Sequence, residues 1–131
     1  MFKHAAWLAA ASWCLAGCSG REAPPDPDTG ARLFNGNCVA CHQQDGRGVP
    51  GVYPSLVGSP VLLGDPQELA RWVIKGQRPA ALPASRYPTI MPKFGWLKPA
   101  DAAALFTYLR SNFGNAGAYV DPATVKNALG D

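Results

Sequence analysis

At 131 residues the chain has room for one small domain, and its 14 glycines and 13 prolines point to a loop-rich one. A formal charge of +3, from 12 basic and 9 acidic side chains, excludes the dense basic face of a nucleic-acid binder. No internal repeat is visible, which excludes solenoids and propellers.

The chain opens with Lys3 and an apolar run from Ala5 to Ala16 broken only by Ser12. The run is shorter than the ~20 apolar residues of a membrane-spanning helix, so it reads as the core of an export signal. It ends in Leu15-Ala16-Gly17-Cys18, which resembles the lipobox of bacterial lipoproteins. That resemblance implies cleavage after residue 17, a lipid on Cys18 and a membrane-anchored, periplasm-facing protein. The alternative is an ordinary secretory signal cut nearby, with Cys18 a free thiol, a liability in an oxidising space. Residues 18–28 are polar and proline-rich and read as an extended tether.

The folded domain is expected over residues 29–114. A first helix should start at Asp28 or Thr29, either of which can cap it, and run to about Asn37. Gly30 and Phe34 share one face of it, and a glycine there suits close approach of another helix.

Cys38-Val39-Ala40-Cys41-His42 follows directly and has the pattern of a c-type haem attachment site. Two thiols this far apart reach one edge of the ring, and the adjacent histidine lies against the iron as its proximal ligand. A structural zinc site and a dithiol redox motif are the rivals for Cys38 and Cys41. Zinc needs four protein ligands, and beyond the export segment the chain offers only Cys38, Cys41, His42 and the lipidation candidate Cys18. No β-α-β pattern of a dithiol oxidoreductase surrounds the motif.

From residue 45 to 60 glycines and prolines are dense enough to predict a loop. Its Tyr53-Pro54-Ser55-Leu56 stretch would supply apolar wall on the histidine side, and a backbone carbonyl is expected to engage the free ring nitrogen of His42. A second helix is predicted from Asp65 as N-cap through Pro66 at N1, with Glu68 completing a capping box and Gly76 as the stop. On it, Trp72 is either core or a donor to a haem propionate.

Residues 77–98 are again irregular. Met91 and Phe94 lie here, in Thr89-Ile90-Met91-Pro92-Lys93-Phe94. Beyond the export segment, His42 and Met91 are the only histidine and methionine left. Met91 is therefore the expected distal ligand, with lysine, tyrosine or water as the remaining options, and Phe94 an expected pocket residue. Six basic residues and no acidic ones fall between Arg71 and Lys98, either a rim that steers an acidic partner or an ordinary solvated surface. The last strong helix is expected from Pro99 to about Asn112, with Leu105, Phe106, Tyr108 and Leu109 in a wide apolar stripe and Arg110 near its end complementing the dipole. Residues 115–131 form a tail with room for a short helix after Asp121-Pro122.

This order of helix, haem motif, glycine/proline loop, helix, methionine loop and C-terminal helix resembles the small single-haem class I cytochromes c over about residues 28–114. The resemblance implies an all-α fold, three main helices wrapped around one covalently attached haem. It implies packing of Gly30 and Phe34 against Tyr108, a hydrogen bond from His42 to the Pro54 carbonyl, and Met91-Pro92 as the distal ligand and its rigid neighbour. Tyr53-Pro54-Ser55-Leu56-Val57-Gly58 and Thr107-Tyr108-Leu109-Arg110-Ser111-Asn112-Phe113-Gly114-Asn115 are similar to cytochrome subunits or domains of membrane dehydrogenases and copper nitrite reductases. Those dehydrogenase subunits often carry three haems, whereas this chain has one such motif.

The expected function is that of a one-electron carrier rather than an enzyme, between a redox protein donor and acceptor such as a membrane dehydrogenase or a terminal reductase or oxidase. A permanent subunit of a dehydrogenase or reductase complex is the second expectation. A haem gas sensor or peroxidase, with Met91 off the iron, is the third.

Overall fold

The structure is a computed structural model and describes residues 26–130. The export signal, Cys18 and the tether up to residue 25 lie outside the described residues. The elements are α-helices: α1 (Pro27–Asn37), α2 (Val39–His42), α3 (Pro60–Leu63), α4 (Pro66–Lys75), α5 (Pro99–Ser111) and α6 (Pro122–Leu129). Among the described residues there is no strand, only an isolated antiparallel bridge between Val49 and Tyr53. The all-α expectation holds, with α1, α4 and α5 as its three main helices.

Proline starts most of these elements. Pro27, Pro60, Pro66, Pro99 and Pro122 each open a helix, where the missing N–H is one the helix would leave unpaired anyway. This moves two boundaries. α1 begins at Pro27, because Asp26 accepts from the Asp28 amide and from the Thr29 hydroxyl, so residues 26–28 belong to the domain rather than to a tether. A one-turn helix, α3, sits at the end of the expected loop, capped by Ser59.

α4 runs as expected between Asp65 and Gly76, which takes the left-handed conformation at φ 72°. Its capping box does not form. Asp65 accepts from the Gln67 amide at 2.8 Å, and Glu68 stays in solvent with no bond back to Asp65. α5 starts at Pro99, after an N-cap, Lys98, that offers no side-chain cap, and ends at Ser111.

Two contacts set the frame. α1 crosses α5 at Gly30, where a Cβ would overlap the Ala104 carbonyl oxygen and come within 2.6 Å of Tyr108 Cβ. Beside that crossing Phe34, fully buried, lies 5.8 Å from the Tyr108 ring and 5.1 Å from the Phe113 ring. The tail supplies the other contact. Val120, Val125 and Ala128 are buried, α6 packs on α4 and α5, and Lys75 Nζ donates to the Leu129 carbonyl at 2.6 Å. Residues 115–130 are thus part of the core, because α4 and α5 would otherwise leave an apolar face in water.

Arg110 stands in the last turn of α5, as expected. It is buried and its guanidinium donates to the carbonyls of Leu62, Gly64 and Ala118 at 2.6, 3.0 and 2.8 Å. It also ties α3 and the start of the tail to α5. A buried cation is tolerable because three carbonyl oxygens replace its water.

Candidate haem site

The Cys38–His42 motif is shaped by the end of α1. Cys38 closes that helix through its amide to the Phe34 carbonyl at 2.8 Å, and its own carbonyl then accepts from Cys41 and His42 at 3.2 and 2.9 Å. The resulting single turn, α2, sets both sulfurs and the imidazole on one short stretch. Both thiols are free, Cys38 buried and Cys41 half-buried. Burial, with a smaller push from Cys41, raises the Cys38 thiol to about 11. Dithiol exchange needs a thiolate near neutral pH, so this environment opposes the redox-motif reading. Among the described residues no group of three or more His, Cys, Asp and Glu side chains is arranged to hold a metal ion.

His42 is buried, and its Nδ1 lies 2.9 Å from the Pro54 carbonyl oxygen. That oxygen can only accept, so Nδ1 carries the proton and Nε2 holds the lone pair. Nε2 makes no hydrogen bond among the described residues. Burial holds the imidazole below its ordinary range, and the Pro54 carbonyl offsets part of that shift. A neutral imidazole with an available Nε2 is what an iron ligand requires. Directly after it, Gln43 adopts φ 63° and ψ 163°, a conformation costly for any residue but glycine, and this reverses the chain so that Gly48 donates to the His42 carbonyl at 2.8 Å.

The loop from 43 to 58 is closed on itself. Leu56 donates to the Gly46 carbonyl at 2.7 Å, and Val49 to the Tyr53 carbonyl at 3.0 Å. Gly48, at φ 67°, lies so close beneath Pro54 that a Cβ would stand 2.5 Å from the Pro54 oxygen. Leu56 is half-buried against the core.

Met91 and Phe94 are also half-buried against the core, on the loop after α4. Phe94 is held by its amide to the Val73 carbonyl at 2.9 Å, and Thr89 Oγ1 donates to the Val52 carbonyl at 2.8 Å, joining this loop to the one that carries Pro54. Trp72 is half-buried beneath the Arg78 guanidinium, 5.8 Å from its ring centre, and its indole N–H has no acceptor among the described residues. Of the six basic residues, Lys75 and Arg78 are engaged by backbone carbonyls, while Arg86, Lys93 and Lys98 are exposed.

The residues present fit a covalently attached haem: two unpaired thiols, an imidazole with an available Nε2, a thioether, an unpartnered indole donor, and the apolar Leu56 and Phe94. Gly48, Thr89 and Asn115 also shape this region, and sequence reasoning assigned a role to none of them, Thr89 and Asn115 standing only within longer stretches. A glycine among many glycines and an asparagine just past a helix end read only as turn residues.

Residues 27–113 match the family model described as Cytochrome c. The fructose dehydrogenase cytochrome subunit of Gluconobacter japonicus is 34% identical over 105 residues, which cover 74% of this chain and 21% of that protein. The cytochrome c subunit of the quinone alcohol dehydrogenase of Gluconobacter oxydans is 32% identical over 90 residues, 67% of this chain and 19% of that one. Cytochrome c-552 of Thermus thermophilus is 29% identical over 92 residues, 66% of this chain and 70% of that one. The chain thus spans about a fifth of the dehydrogenase subunits it matches. With the family model running from the first turn of α1 to the end of α5, this chain belongs to the cytochrome c family, as an electron-transfer protein carrying haem c.

Proposed function

We propose that this chain is a one-electron carrier whose single haem is joined to Cys38 and Cys41 and ligated by His42 and Met91, and that it works on the periplasmic side of a membrane to which Cys18 is anchored by lipid. The observation that carries the ligand assignment is the His42 tautomer: Nδ1 is committed to Pro54, which leaves Nε2 for iron. Haem supplies the change of one electron at iron. The protein's part is to hold it. Cys38 and Cys41 would fix its edge, Leu56 and Phe94 would keep water away, and Trp72 would have its N–H available for a propionate. A thioether ligand from Met91 would raise the reduction potential, and an apolar shell would add to this by disfavouring net charge on the iron. With His42 and Met91 both given to iron, no position would be left for a substrate or gas, which favours the carrier over a sensor or peroxidase.

The exposed Arg86, Lys93 and Lys98 support an acidic redox partner, met in a transient encounter that charge accelerates. A permanent place in a membrane dehydrogenase complex is the second reading, favoured by the fructose and alcohol dehydrogenase subunits among the relatives. Carbon monoxide tests the closed coordination. The reduced wild type should bind it poorly at neutral pH and Met91→Ala readily, whereas ready binding by wild type rejects Met91 as ligand. Cys18→Ser should move the protein from the membrane to the soluble fraction, and its retention in the membrane would sink the anchor. Co-purification with a catalytic chain at low salt would favour the complex over the free carrier.

A further inference from the structure

The segment that presents the Pro54 carbonyl is held from two sides, and one of them belongs to the C-terminal part of the chain. Asn115, buried just past α5, accepts from the Gly58 amide through Oδ1 at 2.8 Å. Its Nδ2 donates to the carbonyls of Leu56 and Leu109 at 3.2 and 3.0 Å. The amide's orientation is fixed, because an N–H can only donate and a carbonyl only accept. Leu109 is in α5, so this side chain pins residues 56–58 to the end of that helix across more than fifty residues of sequence. On the opposite side Gly46 accepts from Leu56, and Gly48 leaves no space beneath Pro54. Pro54 is two residues before Leu56, within the stretch these contacts fix.

We propose that Asn115 is a positioning residue for the proximal histidine: it keeps the Pro54 carbonyl on His42 Nδ1 and thereby helps set the reduction potential. This rests on the reading of His42 as the iron ligand. A short Nδ1–H to carbonyl bond makes the imidazole a stronger donor and favours the oxidised iron. Without Asn115 the 56–58 segment loses two hydrogen bonds and its tie to α5, the Pro54 carbonyl is free to drift from His42, and the potential rises.

The test uses the holoprotein with Asn115→Ala, the milder Asn115→Ser, and Val125→Ala as a control that loosens the core far from the loop. Asn115→Ala should shift the oxidation equilibrium about threefold to tenfold toward the reduced state, at most about 59 mV for one electron. Exchange of the His42 Nδ1 proton, followed by NMR, should speed up at least about tenfold as the local structure opens. Asn115→Ser should move both in the same direction by less, and carries the test should the alanine variant not fold. Val125→Ala should move neither. An unchanged potential and unchanged exchange in both Asn115 variants, or equal shifts in the Val125 control, would overturn the assignment. If instead His42→Ala leaves the wild-type low-spin spectrum unaltered, it is the ligand reading that fails.

Discussion

The two loops that flank the site are built differently. The loop after α2 is knitted by its own backbone: Gly48 to His42, Leu56 to Gly46, Val49 to Tyr53, and the imidazole to Pro54. The loop after α4 spans more residues with fewer anchors, chiefly Phe94 to Val73, Thr89 to Val52, and the Arg78 guanidinium on the Leu82 and Pro83 carbonyls. Ile90, next to Met91, is 95% exposed. The contrast teaches that the histidine half of the site is formed chiefly by local structure, with Asn115 adding one long-range tie, whereas the methionine half depends on docking to the rest of the fold. Local strain belongs to the first half as well, at Gln43.

Amide hydrogen exchange should show the contrast most strongly. The Gly48 and Leu56 amides should be protected at least about a hundredfold more than those of residues 84–90, because opening them requires the first loop to come apart. Equal protection would break the comparison. Gly48→Ala should cost about 2–4 kcal/mol in denaturant unfolding, from a strained positive φ and overlap with the Tyr53 and Pro54 carbonyls. Met91→Ala, in the looser loop and only half-buried, should cost about 1–2 kcal/mol and leave the helical circular dichroism intact. Thr89→Val removes one side-chain hydrogen bond between the loops and should cost about 0.5–1.5 kcal/mol. A larger loss at Thr89 than at Gly48 would reverse the roles assigned to the two loops.

Much of this was legible in the residues. The helix frame followed from apolar spacing and caps, and Gly30 opposite Tyr108 marks a crossing that only a glycine permits. The haem motif is readable because its chemistry demands fixed spacing. Other features were hidden for physical reasons. Pro27 and Pro60 look like breakers until the residue before each is seen to cap a helix. A short helix after Asp121-Pro122 was expected, but its buried side chains, Pro122, Val125 and Ala128, are small, so nothing in it announces that the tail helps complete the core. Arg110 and Asn115 act through contacts made far away in sequence, and such partners leave no local pattern.

The central claim is that His42 and Met91 share one iron. The most direct measurement is the far-red absorption of the oxidised protein, where sulfur ligation to Fe(III) gives a weak charge-transfer band. Wild type should show that band on a low-spin spectrum, and Met91→Ala should lose it while keeping haem covalently bound. A wild-type spectrum without the band, or a band that survives Met91→Ala, would contradict the account.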